Sequence, residues 1–135
     1  MMVLVDTCVW SQVLRRQKVS GDHIARELHE LISEMRVQMV GPVRQELLSG
    51  VRVEKQFMDL RDHLRAFPDL LLSEEDFETA AKFFNRCRSR GVQGSNTDFL
   101  LCALSARHDL AVFTIDEDFK HYAEHLPVRL HALRR

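Results

Sequence analysis

The amino-acid sequence predicts a single α/β domain over residues 1–135, with a central, mostly parallel sheet of four to five strands flanked by helices. Three observations support this prediction. The length of 135 residues suits one compact domain with one core. Short apolar runs rich in β-branched residues alternate with segments whose apolar residues recur at helical spacing. Two of the apolar runs stop at an aspartate, as buried parallel strands do where they meet a helix.

The first third of the chain predicts two strands and two helices. Met2–Val5 is a short apolar run that ends at Asp6, and it predicts the first, central strand. A stripe of apolar residues at helical spacing begins after Asp22, and Val37–Val40 follows as the second strand. Pro42 suits the first position of the next helix.

The middle of the chain continues this alternation. Val43 and Leu47 share one face of the helix that follows, which places Glu46 close to the helix start and off the apolar line. A further helix is predicted over residues 53–64, and Leu70–Leu72 predicts the third strand.

The second half of the chain predicts two more helices and two more strands. Ser73–Asp76 has the spacing of a capping box ahead of a helix that ends at Gly91. Asn96 can cap the next helix and places Asp98 in its first turn. The remaining apolar runs predict the last two strands, at Ala111–Thr114 and Val128–His131.

Charge and cysteine content limit the possible functions. The formal net charge of -1 provides no global positive field for a polyanion, so nucleic-acid binding would depend on local patches. Cys8, Cys87 and Cys102 are odd in number and lie among apolar neighbours, which predicts buried free thiols in a reducing compartment. Without a basic leader or a long apolar stretch, the sequence predicts a cytoplasmic protein that does not span a membrane.

Four acidic residues are expected to meet at one edge of the sheet. Asp6 and Asp116 each follow a predicted strand, whereas Glu46 and Asp98 each lie near a predicted helix start. Ligands of such sheets bind beyond the carboxyl ends of the strands. Clustered carboxylates repel one another unless a cation compensates, and Mg²⁺ or Mn²⁺ prefers oxygen ligands. The pattern therefore predicts a metal site for phosphodiester chemistry.

Four segments in order carry a family resemblance, and they are Val3-Leu4-Val5-Asp6-Thr7, Glu46-Leu47-Leu48-Ser49-Gly50, Asn96-Thr97-Asp98-Phe99-Leu100-Leu101-Cys102-Ala103 and Phe113-Thr114-Ile115-Asp116-Glu117-Asp118-Phe119. Together they resemble the PIN domain, and within it the VapC-type toxins of type II toxin–antitoxin systems. The resemblance implies a PIN-like fold, an acidic quartet and Mg²⁺- or Mn²⁺-dependent endonucleolytic cleavage of RNA. It also implies a homodimer and a cognate antitoxin protein as partner.

We assign roles within the quartet as a hypothesis. Asp6, Asp98 and Asp116 hold the metal directly or through water, and Glu46 orients or deprotonates the attacking water for in-line displacement at phosphorus. Because this mechanism needs no 2′-hydroxyl, the products would carry a 5′-phosphate and a 3′-hydroxyl.

Four neighbouring residues are predicted to support the acids. Thr7 and Thr114 could orient a carboxylate or water through their hydroxyls. Asn96 could do the same for Asp98, or simply cap the helix. Asp118 is a possible fifth ligand, although we favour Asp116 as ligand and Asp118 as support.

Two basic groups could hold RNA phosphates, namely Arg15, Arg16 and Lys18, and Arg86, Arg88 and Arg90. The alternative for the second group is a favourable interaction with the helix dipole. His121 and His125 have a zinc-binding spacing, but no third ligand accompanies them. Trp10 is expected in the core.

Three competing functions are consistent with parts of the pattern. The first is phosphorylation of a strand-end aspartate, as in haloacid-dehalogenase phosphatases or receiver domains. Such phosphatases need a second aspartate where this sequence has Cys8. Receiver domains need an acidic pair before the phosphorylated strand, and this sequence has none there. A non-catalytic PIN-like module that binds RNA or protein is the second. A PIN nuclease acting in RNA maturation is the third.

Overall fold

The computed structural model describes residues 1–15 and 22–134. Within these ranges the chain is a single α/β domain with four strands and seven helices. In chain order the elements are β1 (Val3–Val5), α1 (Thr7–Arg15), α2 (His23–Ser33), β2 (Val37–Gln38), α3 (Gly41–Leu48), α4 (Glu54–Leu64), α5 (Glu74–Arg88), α6 (Asn96–His108), β3 (Ala111–Phe113), α7 (Asp118–Ala123) and β4 (Arg129–Leu130). The predicted fold class is confirmed.

The four strands form one parallel sheet in the order β2-β1-β3-β4. Leu4 of β1 pairs with Gln38 of β2 on one side and with Val112 of β3 on the other. The first strand is therefore central, as predicted. Since all strands run the same way, the residues that follow β1 and β3 emerge at the same edge of the sheet.

Helix starts follow local side-chain chemistry. The side chain of Asp22 accepts hydrogen bonds from the amides of Ile24 and Ala25, which fixes the start of α2. Pro42 lies in the first turn of α3, where its missing N–H has no intrahelical partner to lose. At α5 the backbone N–H of Ser73 donates to the Asp76 carboxylate at 2.8 Å.

Helix α6 forms the centre of the core. Every residue from Phe99 to Ser105 is buried, because α6 packs against α5 on one side and against β3 and β4 on the other. Leu101 and Leu104 are completely excluded from solvent. Burying each of these side chains stabilises the fold by about 1.5–3 kcal/mol.

Two buried carboxylates connect distant parts of the chain. Asp76 of α5 accepts hydrogen bonds from Arg107 at 2.8 Å and from His108 at 2.9 Å, which ties α5 to the end of α6. Glu27 of α2 is held in the same way by the C-terminal segment, through His131 at 2.6 Å and Arg134 at 3.0 Å.

Two predictions of local structure are wrong. Leu70–Leu72 forms no strand; the chain makes only an isolated bridge between Met39 and Asp69, and Leu71 is 90% exposed. Glu46 does not lie near a helix start, because α3 ends at Leu48. None of the helices in the described residues is both long and apolar enough to cross a membrane.

Candidate active site

The four predicted acids line one open cleft of about 830 Å³ at the carboxyl edge of the sheet. Asp6 follows β1 and Asp116 follows β3, whereas Asp98 comes from the first turn of α6 and Glu46 from the last turn of α3. The residues that line the cleft are Asp6, Thr7, Cys8, Ser11, Gln12, Arg15, Glu46, Ser49, Asp98 and Asp116. The structure thus brings the whole predicted quartet together.

Asp6 lines the cleft and is only 7% exposed. Its Oδ1 accepts the Thr7 amide at 2.8 Å, and its Oδ2 accepts the hydroxyl of Thr114 at 2.8 Å and the thiol of Cys8 at 3.4 Å. Burial raises the pKa of the Asp6 carboxyl, and the charge of Asp116 adds to the rise, although these hydrogen bonds oppose it. Both oxygens of Asp6 are therefore oriented by the protein.

Glu46 also lines the cleft, and it is exposed. The hydroxyl of Thr7 donates to Glu46 Oε1 at 2.6 Å, although the two residues belong to different helices. The predicted contact of Thr7 with an acid is thus present, but with Glu46 through its side chain and with Asp6 through its amide.

Asp98 is held by a residue that sequence reasoning missed. The hydroxyl of Tyr122 donates to Asp98 Oδ2 at 2.7 Å. Burial raises the pKa of the Asp98 carboxyl, and the charges of Asp6 and Asp116 raise it further, against the opposing hydrogen bond from Tyr122. In the sequence, Tyr122 carries only the signal of a core aromatic, so nothing pointed to this contact.

The predicted role of Asn96 is not found in the structure. Ser95 caps α6, since its hydroxyl accepts the Asp98 amide at 3.0 Å, and Asn96 is the exposed first residue of the helix. Asp98 nevertheless lies in the first turn of α6, as predicted. The position of the cap was wrong by one residue.

Asp116 and its neighbours form a local turn after β3. The Asp116 amide donates to the Thr114 hydroxyl at 3.0 Å, and the Asp118 amide donates to Asp116 Oδ1 at 2.9 Å. Because Thr114 also donates to Asp6, it links the acids of the two central strands. The exposed Asp118 side chain does not line the cleft, so its described contact with the quartet is through its backbone amide.

The donor atoms of the cleft suit a hard divalent cation. In Glu46, Asp98 and Asp116, one carboxylate oxygen accepts a described hydrogen bond, and the other has no partner among the described residues. Among the described residues, no group of three or more His, Cys, Asp or Glu side chains is arranged so that it could hold a metal ion. The four carboxylates of this open cleft nevertheless offer the oxygen ligands that Mg²⁺ prefers, and Mg²⁺ retains several water ligands of its own.

The predicted basic residues and Trp10 differ in where the structure places them. Arg15 is the cation among the described residues that line the cleft, whereas Arg86, Arg88 and Arg90 do not line it. Arg16 and Lys18 lie outside the described residues. Trp10 is 3% exposed and packs edge-on against Phe67, which confirms its place in the core.

The cysteines are free thiols, as predicted, but their burial differs. Cys87 and Cys102 are buried, whereas Cys8 is half-buried and lines the cleft beside Asp6. The prediction of a buried thiol is therefore wrong for Cys8, because α1 turns this side chain toward the acids. Burial raises the pKa of the Cys8 thiol, so it serves as a protonated donor to Asp6.

The model of the PIN domain family matches residues 3–125 of this chain. Among solved structures, the chain is similar to FitAcB from Neisseria gonorrhoeae, with a TM-score of 0.76 and 23% identity over 97% of each chain. It is similar to VapBC2 from Rickettsia felis bound to a promoter DNA fragment, with a TM-score of 0.77 and 16% identity over 97% of this chain and 98% of that one. It is also similar to VapBC-1 from nontypeable Haemophilus influenzae, with a TM-score of 0.76 and 13% identity over 100% of both chains. At these sequence identities, the structural similarity shows the fold alone. A comparison with curated proteins finds no match.

Proposed function

Because this chain belongs to the PIN domain family, whose members are nucleases, we propose that it is a metal-dependent endoribonuclease and the toxin of a toxin–antitoxin pair. The observation that carries the proposal is the cleft of four carboxylates, three of which keep one oxygen without a described partner. Such a cleft, at the carboxyl edge of a parallel sheet, is where chemistry is expected in this architecture.

The acids divide into ligands and a base. Asp6, Asp98 and Asp116 would hold Mg²⁺ or Mn²⁺, because they reach the same cleft from the ends of the two central strands and from the start of α6. When bound, the cation lowers the pKa of water and stabilises charge on the phosphate oxygens. The Thr114 hydroxyl links Asp6 to the backbone of Asp116, and the Asp118 amide orients the Asp116 carboxylate. Tyr122 orients Asp98.

Glu46 serves as the acceptor for the proton of the attacking water. Thr7 occupies Oε1 of Glu46, so Oε2 is the oxygen without a described partner and takes the proton. The water oxygen then forms a bond to phosphorus, and the bond to the 3′-oxygen breaks. The leaving oxygen takes a proton from solvent, which leaves a 5′-phosphate and a 3′-hydroxyl.

Cleavage of total RNA by the purified protein tests this proposal. The reaction is run with Mg²⁺, with EDTA and with Asp98→Asn, and the product ends are read. Glu117→Gln is the matched control, because this exposed acid adjoins Asp116 but does not line the cleft. We expect cleavage that leaves 5′-phosphate ends, is lost with EDTA and with Asp98→Asn, and persists in Glu117→Gln.

Three other outcomes would each contradict part of the proposal. Intact RNA across many targets would favour a binding module without catalysis. Cleavage that survives both EDTA and Asp98→Asn would mean that the carboxylate cleft is not the active site. Ends with 2′,3′-cyclic phosphate would exclude attack by an external water.

The setting of the activity is part of the same proposal. We expect a cytoplasmic homodimer that binds a cognate antitoxin, in line with the VapBC and FitAcB names of the similar structures. Large apolar side chains on the surface support a protein partner: Met35 is 84% exposed and Leu71 is 90% exposed. Size-exclusion chromatography with light scattering would distinguish a dimer from a monomer.

Growth of a bacterial host separates a toxin from a nuclease of RNA maturation. Expression of the wild-type chain should arrest growth, whereas Asp98→Asn should not. Co-expression with a small protein encoded beside it should relieve the arrest if that protein is the antitoxin. Unimpaired growth with an active nuclease would favour RNA maturation.

A further inference from the structure

Helix α7 contacts two acids of the cleft that come from different elements. At its start, the Asp118 amide donates to Asp116 Oδ1 at 2.9 Å. One turn later, the hydroxyl of Tyr122 donates to Asp98 Oδ2 at 2.7 Å. Among the described elements, α7 therefore forms hydrogen bonds to an acid that follows β3 and to an acid on α6.

Tyr122 is buried between two aromatic rings. It is 0% exposed, and its ring packs against Phe99 at 4.8 Å and against Phe119 at 5.1 Å between ring centroids. A buried hydroxyl without a partner would be costly, and Asp98 supplies that partner. The packing of the ring thus fixes where Asp98 Oδ2 must lie.

Gly94 provides the space that this arrangement needs. A Cβ atom at Gly94 would lie 2.2 Å from the hydroxyl oxygen of Tyr122 and 2.7 Å from its Cζ. Both distances are below any real contact, so a side chain here would push Tyr122 away from Asp98. The absence of a side chain at Gly94 therefore allows the Tyr122 hydroxyl to lie close to the loop before α6.

We propose that Tyr122 is a positioning residue for the cation site, and that α7 sets the separation of Asp98 and Asp116 by holding one oxygen of each. This inference rests on the proposed function, because it assumes that the two acids bind a cation. Partners that orient ligands in this way typically change metal affinity by about 10- to 100-fold when they are removed.

The binding of Mn²⁺ to the whole protein, measured by titration calorimetry, tests the inference without any cleavage reaction. We expect Tyr122→Phe to weaken Mn²⁺ binding at least about 10-fold, since the ring remains and only the hydroxyl is lost. Ser105→Ala is the matched control, because it removes another buried hydroxyl of the same core, one that donates to the Leu110 carbonyl at 2.6 Å. It should lower thermal stability and leave Mn²⁺ affinity unchanged.

Each result has a separate meaning. Equal Mn²⁺ affinity of Tyr122→Phe and the wild type would overturn the positioning role and leave the nuclease proposal intact. A wild-type protein that binds no Mn²⁺ would overturn both. Gly94→Ala is a second test. This variant keeps the Tyr122 hydroxyl but displaces it from Asp98, so it should weaken Mn²⁺ binding as Tyr122→Phe does.

A measurement on the unaltered chain can still overturn the inference if the variants do not fold. Tyr122 is the single tyrosine of the sequence, so a ¹³C label on tyrosine reports on this ring alone. Stoichiometric Mn²⁺ should broaden its NMR signal, because the hydroxyl touches a ligand. An unaffected ring signal in a protein that binds Mn²⁺ would overturn the inference.

Discussion

At the scale of single residues, the cleft combines fixed and available oxygens. Glu46, Asp98 and Asp116 each have one oxygen committed to a neighbour, which restricts the rotation of the carboxylate. A group that is already oriented loses less freedom when a ligand arrives, so the hydrogen bonds contribute to binding without touching the ligand. Thr7 is the clearest case, because among the described side chains its hydroxyl forms a hydrogen bond with Glu46 alone.

We predict that Thr7→Val lowers the rate of RNA cleavage about 10-fold while the fold is retained. The physical reason is that Glu46 loses the hydrogen bond that holds Oε1. The double variant with Glu46→Gln should be no slower than Glu46→Gln alone, because the hydroxyl acts through the carboxylate. Thr97→Val serves as control, and additive losses in the double variant would contradict the prediction.

Asp98→Asn should stabilise the metal-free protein. Burial raises the pKa of the Asp98 carboxyl above its unfolded value, and Asp6 and Asp116 add to the rise. An acid whose pKa is higher in the folded state destabilises that state when it is ionised, so stability falls as pH rises through the raised pKa. We expect a melting temperature a few degrees higher at pH 7 in EDTA. A lower melting temperature would mean that the ionised form is the one the cleft favours.

At the scale of elements, the apolar periodicity predicted most helices, whereas short segments depended on tertiary context. Leu70–Leu72 is as apolar as the true strands, yet Pro68 lies just before it and only Leu70 donates a backbone hydrogen bond to Met39. The cap of α6 also depended on tertiary context. We predicted Asn96, whereas Ser95 caps the helix, because both residue types are good caps and the sequence alone does not distinguish them.

The acids of the candidate site could be predicted from the sequence, but the contacts between their side chains could not. Strand ends placed Asp6 and Asp116 at the cleft, since parallel strands share a carboxyl edge. Glu46 reached the cleft although its helix position was wrong, and the contact of Tyr122 with Asp98 was not predicted at all. Contacts between side chains far apart in sequence leave no periodic signal, so no pattern could have identified them.

The pairing of α5 with α6 should be sensitive to acid. Burial alone would raise the pKa of Asp76, but the Ser73 amide, Arg107 and His108 together outweigh it and hold the pKa at about 2. Because this pKa is lower than the unfolded value of 3.8, the stabilisation is complete above that value and is lost as pH falls toward about 2.

We therefore predict that Asp76→Ala lowers the free energy of unfolding by about 2 kcal/mol at pH 7. This loss is smaller than is typical when a fully buried ion pair is broken, because Arg107 and His108 are partly exposed. Urea denaturation should show that the difference from wild type shrinks as pH falls below 3.8. Asp59→Ala, which removes only an exposed pair with Lys55, should have little effect. A constant difference at all pH values would contradict the assigned role of the charge.

At the scale of the whole molecule, the cleft concentrates negative charge in a chain of net charge -1. Asp6 and Asp98 both have raised pKa values through burial and through their acidic neighbours. The metal-free fold thus carries a local repulsion, and a divalent cation would remove it. Binding that is specific to the folded state adds stability in proportion to RT ln(1 + [L]/Kd).

Mg²⁺ or Mn²⁺ should accordingly raise the melting temperature of the wild-type protein. At 100 times the dissociation constant the gain is about 2.7 kcal/mol, and EDTA should reverse it. Asp98→Asn should show a much smaller rise, although its metal-free form is the more stable one. Equal shifts in both proteins would indicate that the cation binds elsewhere.

The central position of β1 has a consequence for how the molecule is made. Its partners are β2, at Val37–Gln38, and β3, at Ala111–Phe113, so the strand that is synthesised first must wait for a neighbour that leaves the ribosome late. Long-range parallel pairing is slow, because the loop between the strands must close first. The four acids of the cleft cannot assemble on a nascent chain that ends before Asp116. A nascent chain therefore lacks the complete cleft until residues beyond β3 have been translated.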